Sequence, residues 1–139
     1  IEEFLKLAFI TTGLVGIVMI LLIIFTPNTL VNFFLEDNNY KTKEIVLKFA
    51  TYIWIIFLFD GFNLVISSYL TAIHKPMASM IIAVSRSFIF PIFFIFTLPF
   101  FFNLNGIFMA IPMAEFMTFI IAVILFKNFS PRKIIYKEV

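Results

Sequence analysis

The 139-residue sequence has no cysteine and one histidine, and Asp, Glu, Lys and Arg together make up 13% of it. Without cysteine there is no disulfide framework, no thiolate metal site and no Cys nucleophile. His74 alone cannot build a His cluster, so the usual metal and hydrolase chemistries fall away and no enzyme is expected. Four glycines and six prolines are too few for a collagenous or low-complexity chain. A net charge of +2, scattered along the chain, does not suggest a nucleic-acid partner. What the sequence does have is apolar residue: 63% of it is hydrophobic, with 22 phenylalanines. A soluble domain is nearer to half apolar and a quarter charged, and so few polar side chains cannot cover a water-facing surface. The composition implies a membrane protein. The first residue is Ile and no charged n-region with a cleavage site follows, so the start reads as a cut, not as a signal peptide.

Four apolar stretches approach the roughly 20 residues that a helix needs to cross a bilayer: about 7–25, 50–73, 77–102 and 106–126. None alternates as a strand would, and in hydrocarbon a lone apolar segment satisfies its backbone only as a helix. The expected fold is all-α and polytopic, with four transmembrane helices. Thr26-Pro27-Asn28 ends the first span, and Glu36 to Lys41 supplies polar turn residues before the second. Between them, Leu30 to Leu35 is amphipathic enough to lie at the interface. His74-Lys75-Pro76 and Asn103-Leu104-Asn105 are tight turns, which make consecutive spans antiparallel neighbours. Lys6, Lys75, Lys127, Arg132, Lys133 and Lys137 collect on one side, against Lys41, Lys43 and Lys48 on the other. The positive-inside rule makes the first side cytoplasmic, so both ends of the chain, including the tail 127–139, face the cytoplasm.

Three ionisable residues lie inside the spans: Asp60, Arg86 and Glu115. Each costs at least ~2.5 kcal/mol at a helix centre, so such residues are found facing a bundle interior or a watery cavity. Counted from the cytoplasmic ends at the helical rise, they lie at depths of roughly 20, 14 and 17 Å, within side-chain reach of one another. The expectation is that Arg86 neutralises one carboxylate and leaves the other to bind a proton or Na+. The bland alternatives are that Arg86 snorkels to the headgroups and that the two acids make static interhelical hydrogen bonds. Asp60, Asn63, Ser67, Thr71 and His74 form one polar stripe along the second span, which either grips a neighbouring helix or lines an aqueous route. Ala8, Thr12 and Gly16 recur every four residues on the first span and permit close packing. Pro91, Pro99 and Pro112 each remove a helix hydrogen bond and favour a kink.

The run Phe59-Asp60-Gly61-Phe62-Asn63 through Ser67-Ser68-Tyr69-Leu70-Thr71-Ala72-Ile73-His74-Lys75-Pro76 resembles the tenth helix and following loop of the multidrug and toxic compound extrusion (MATE) transporters. Ser85-Arg86, Pro91, Leu98-Pro99 and Asn105 to Glu115 resemble the eleventh and twelfth helices, and Phe25 to Asp37 the end of the ninth and the turn after it. The resemblance implies that residues 1–139 are the C-terminal portion of the second lobe of a twelve-helix, two-lobe antiporter in the cell membrane. It also implies coupling to Na+ or H+, no other cofactor, and small organic, cationic drugs as cargo. By that analogy Asp60 stands where the family places a cation-coupling acid, and Asn63, Ser67, Thr71, Arg86 and Glu115 join it along the ion or substrate pathway. Two departures are visible: His74-Lys75 where the family commonly has Gly-Lys, and Phe108 where Trp is common. The partners implied are the bilayer and the missing N-terminal helices, without which the piece is expected to be inactive. Two other readings stand beside this one. A lipid-linked oligosaccharide flippase of the related family would show more basic residues in the spans. A structural or accessory four-helix protein would use its polar residues to hold the bundle.

Overall fold

A computed structural model describes residues 2–34 and 40–130. These form helices α1 (Glu2–Phe25), α2 (Pro27–Phe34), α3 (Tyr40–Ala72), α4 (Pro76–Val84), α5 (Phe90–Phe102) and α6 (Leu104–Asn128), with a π-helical turn, Ser85–Ile89, joining α4 to α5. No strand occurs among the described residues. Four segments are long and apolar enough to cross a membrane: α1, α3, the composite Pro76–Phe102, and α6. The expected all-α, four-span fold is present.

The first span begins at Glu2, earlier than the sequence reading has it, and three further departures shape the fold. The second span starts at Tyr40, not near residue 50, because Lys41, Lys43, Glu44 and Lys48 are good helix formers and extend the helix N-terminally. At ~1.5 Å per residue its 33 residues reach about 50 Å, well beyond a hydrocarbon core of ~30 Å. Tyr40 and Lys41, expected in a turn, are therefore helical, whereas Glu36 to Asn39 lie outside the described residues. The amphipathic stretch after the first span is a short helix of its own, α2, which starts where Pro27 denies α1 a further N–H. The third span is not one continuous α-helix.

The turns follow from local chemistry. Lys75 N–H donates to Leu70 O (2.9 Å) and His74 N–H to Thr71 O (3.1 Å), which closes α3 with a Schellman motif whose left-handed residue is His74 (φ 59°). Pro76, at the start of α4, lacks an N–H where none is needed. Asn103 (φ 51°) alone joins α5 to α6.

α3 and α6 run parallel and form the centre. Phe59 packs edge-on or tilted against Phe116 and Phe119, and Tyr69 edge-on against Phe126, with ring centroids 5.2–5.4 Å apart. α1 lies antiparallel to α3: Gly16 faces the Phe57 carbonyl, Thr12 covers Gly61, and Phe9 stacks on Phe62. α5 folds back along α6, and Gly106 brings the two backbones together at Leu98. The densest apolar cluster (Ile66, Tyr69, Leu70, Ala78, Ile82, Ala122) gathers the end of α3, α4 and the end of α6 at the level of Leu5 and Phe9 of α1. Tyr69 Oη donates to Phe129 O at 2.9 Å, and Lys75 Nζ sits 5.6 Å over the Phe129 ring, so the end of α6 is pinned to the α3–α4 turn.

Candidate functional site

Above that cluster, three helical segments each contribute one ionisable side chain. Asp60 comes from α3, Glu115 from α6, and Arg86 from the π turn between α4 and α5. Arg86 Nε donates to Glu115 Oε1 at 2.9 Å, and its Nη2 is paired with Asp60 Oδ1. The arginine therefore reaches both carboxylates, where the sequence reading expected it to neutralise one. Two negative charges share one positive charge, and the excess belongs to the pair.

Burial is uneven across the group. The Glu115 side chain is 7% exposed, Arg86 29% and Asp60 37%. Arg86 is turned into the group, so it does not take the snorkelling arrangement. Asn63, one helical turn after Asp60 and fully buried, donates from Nδ2 to Glu115 Oε2 (2.9 Å) and to Glu115 O (3.1 Å). It fixes both ends of Glu115 against α3. Its own Oδ1 is buried and has no hydrogen-bond partner among the described residues. An orphaned buried acceptor is uncommon, because each leaves a desolvation cost of ~1–3 kcal/mol uncompensated. The site thus presents two carboxylates and one amide oxygen beside a single guanidinium. No group of three His, Cys, Asp or Glu side chains that could hold a metal ion occurs among the described residues.

The rest of the stripe on α3 does something else. Ser67 Oγ and Ser79 Oγ are 2.8 Å apart, and Thr71 Oγ1 lies 2.9 Å from Ser79 Oγ and 3.1 Å from the Ser67 carbonyl oxygen, to which it can donate. Ser67 and Thr71 therefore grip α4 and make no bond to the carboxylates. The stripe also stops at Thr71. His74, counted on it from the sequence, has left the helix and lies exposed in the turn. Of the six sequence-derived site residues, Asp60, Asn63, Arg86 and Glu115 come together, whereas Ser67 and Thr71 form a separate hydroxyl cluster with Ser79.

Ser79 was not anticipated, although it is the one hydroxyl in the apolar run Met77–Val84. A stripe of small residues on α6 was also overlooked. Gly106, Ala110, Ala114, Thr118 and Ala122 recur every four residues and are all buried. Thr118 Oγ1 turns back to Ala114 O at 2.8 Å, so the one hydroxyl in the stripe is satisfied within its own helix. The spacing that identifies such a stripe is legible in sequence, as it was for Ala8, Thr12 and Gly16.

Compared with known protein families, the chain matches the MatE family model over residues 1–97, which takes in α1 through most of α5. The chain belongs to the MATE family. It is a membrane transporter family, and the four spans agree with that membership. The match includes Asp60, Asn63 and Arg86, while α6 with Glu115 lies beyond its end. No curated protein and no solved structure matches this MATE-family chain.

Proposed function

We propose that this MATE-family chain forms helices nine to twelve of a twelve-helix efflux antiporter driven by Na+ or H+, with small organic cations as cargo. On this reading it is the C-terminal portion of the second lobe and is inactive without the remaining helices. It sits in the cell membrane with both ends cytoplasmic, the basic tail residues Arg132, Lys133 and Lys137 falling outside the described residues. Asp60 and Glu115 form the cation-coupling site, Asn63 orients Glu115, and Arg86 occupies the carboxylates when the coupling cation does not.

The observation that carries the reading is that Asp60 and Glu115, from two different spans, share the one guanidinium of Arg86. Ionisable groups inside a membrane are expensive and mark ion pathways and proton relays. A group of two acids and one base retains one net negative charge, which a proton or Na+ can offset. The orphaned Asn63 Oδ1 adds a neutral oxygen of the kind that hard cations accept. The flippase alternative fares worse, because the basic residue at mid-span depth is committed to carboxylates and is not free for an anionic oligosaccharide lipid.

The test is transport by the intact protein in liposomes carrying a fluorescent organic cation, with imposed Na+ or pH gradients. Asp60→Asn and Glu115→Gln should each reduce gradient-driven efflux at least tenfold. Unchanged efflux and unchanged pH dependence in both variants would sink the assignment.

A further inference from the structure

The composite third span carries a π-helical turn at Ser85–Ile89, where Phe90 N–H donates to Ser85 O, five residues back. The wide turn lies immediately before Pro91, which has no N–H to give and whose ring would crowd the Ser87 carbonyl in an unbroken α-helix. A membrane helix can absorb such a proline by kinking or by widening one turn. The two solutions differ by one residue of register. A π turn holds one surplus residue, so its return to α geometry rotates one flanking helix against the other by ~100° and shifts it by ~1.5 Å.

Arg86 is inside this turn, and from there it reaches Asp60 and Glu115 together. We infer that the Ser85–Ile89 turn is a register switch, held in its wide form jointly by Pro91 and by the Arg86 pairing with the two carboxylates, and partly released to α geometry when either restraint is lost. The moving part is α5. α4 is anchored through buried Ala78 and Ile82 and through Ser79, which bonds Ser67 and Thr71. α5 packs along α6 through half-buried side chains but buries no residue fully, and where the two backbones come closest it faces Gly106, which offers no side chain to interlock. A rotation of ~100° carries an α5 Cα through about 3.5 Å and turns the Phe93, Phe96 and Phe100 face to a new direction. Only the last step rests on the coupling role proposed above: a cation taken up by the carboxylates displaces Arg86 and frees the turn.

Distance measurements between spin labels test this in the intact transporter in liposomes. Exposed Ile45, near the start of α3, and Phe101, at the end of α5, lie at the same end of the molecule, and this chain has no cysteine to interfere. Two variants act on the turn from different sides. Asp60→Asn combined with Glu115→Gln frees the guanidinium, whereas Pro91→Ala keeps every charge and removes the obstacle to an unbroken helix. Each should add a second distance, displaced by several ångströms from that of the unsubstituted protein. A single unchanged distance in Pro91→Ala overturns the switch, whether or not the charge variant folds. A second distance in the variants, with none on adding saturating Na+ or acid, retains the switch and overturns the coupling role.

Discussion

α5 and α6 are joined by one residue and both are apolar along their length, yet they are used in opposite ways. α5 is Phe-Pro-Ile-Phe-Phe-Ile-Phe-Thr-Leu-Pro-Phe-Phe-Phe and buries none of these residues. α6 buries Gly106, Phe108, Ala110, Pro112, Ala114, Glu115, Thr118 and Ala122. Hydrophobicity ranks them the wrong way round, because α5 is the more apolar of the two. In a bilayer the lipid tails are as apolar as a phenylalanine, so burying one gains little. Helices associate through close backbone approach at small residues and through polar groups that lipid cannot satisfy. α6 has both devices on one face, a small-residue stripe and Glu115. α5 has neither, and the close backbone approach between the two helices is made possible by a glycine of α6.

That difference breaks most completely at the polar end. Arg86→Ala would leave Glu115, almost wholly buried, and Asp60 facing each other without a counter-charge. Removing one partner of a fully buried pair costs about 3–5 kcal/mol, and the cost here is smaller, about 2–3 kcal/mol, because Arg86 and Asp60 are about a third exposed. A loss of this order should appear as a large drop in the thermal midpoint of the detergent-solubilised transporter. Adding Asp60→Asn and Glu115→Gln to the same protein should restore most of it, since no unpaired charge then remains. If Arg86→Ala melts within a degree of the unsubstituted protein, the pairing is not what holds α3 and α6 to the third span.

The small-residue half of the comparison is tested by Gly106→Ala. A Cβ there would lie 2.5 Å from the Leu98 carbonyl carbon and oxygen and 2.7 Å from Pro99 N. These are backbone atoms, so the hairpin must open, at a cost of about 1–3 kcal/mol by analogy with overpacked cores. Its neighbour Ile107 is half exposed, and truncating it to Ala should cost less than Gly106→Ala even though it removes three carbons. The reverse ranking would mean that apolar bulk, not close approach, joins the two helices.

The parts of this fold legible in sequence were those written in composition and spacing. Four spans follow from run length, and the Asp60, Arg86 and Glu115 grouping follows from depth along helices joined by short turns. Asn63 was on the stripe, but its grip on both the side chain and the carbonyl of Glu115 depends on the parallel packing of α3 on α6, which no local pattern encodes. The sharing of Arg86 between two acids was missed for a related reason. Arg86 stands in the π turn, and a proline in a helical run predicts a disturbance without saying whether the helix kinks or widens. Ser67 and Thr71 looked like the continuation of the charged site because periodicity gives a face and not the neighbour that covers it. The stripe on α6 was readable and was obscured by the louder signals of Pro112 and Glu115 within it.

The two tight hairpins extend the comparison to a smaller scale. Both turns need a residue at positive φ: His74 (φ 59°) between α3 and α4, and Asn103 (φ 51°, ψ −132°) between α5 and α6. A left-handed α residue with an ordinary side chain costs roughly 1–2 kcal/mol, whereas the negative ψ of Asn103 takes it out of the left-handed α well that Asn tolerates and into a region kept largely for glycine. His74 also stands where the family resemblance leads one to expect glycine, and the Schellman bonds to Leu70 O and Thr71 O define the position as one that glycine suits. His74→Gly should relieve the strain while adding about 0.4–1 kcal/mol of unfolded-state entropy, for a net gain of roughly 0.5–1 kcal/mol. Because His74 is exposed, little else should change. Asn103→Gly should gain more, since its backbone lies outside the left-handed α well and more strain is there to relieve. Equal gains at both turns would show that the cost lies in the turn shape itself and not in the side chain that occupies it.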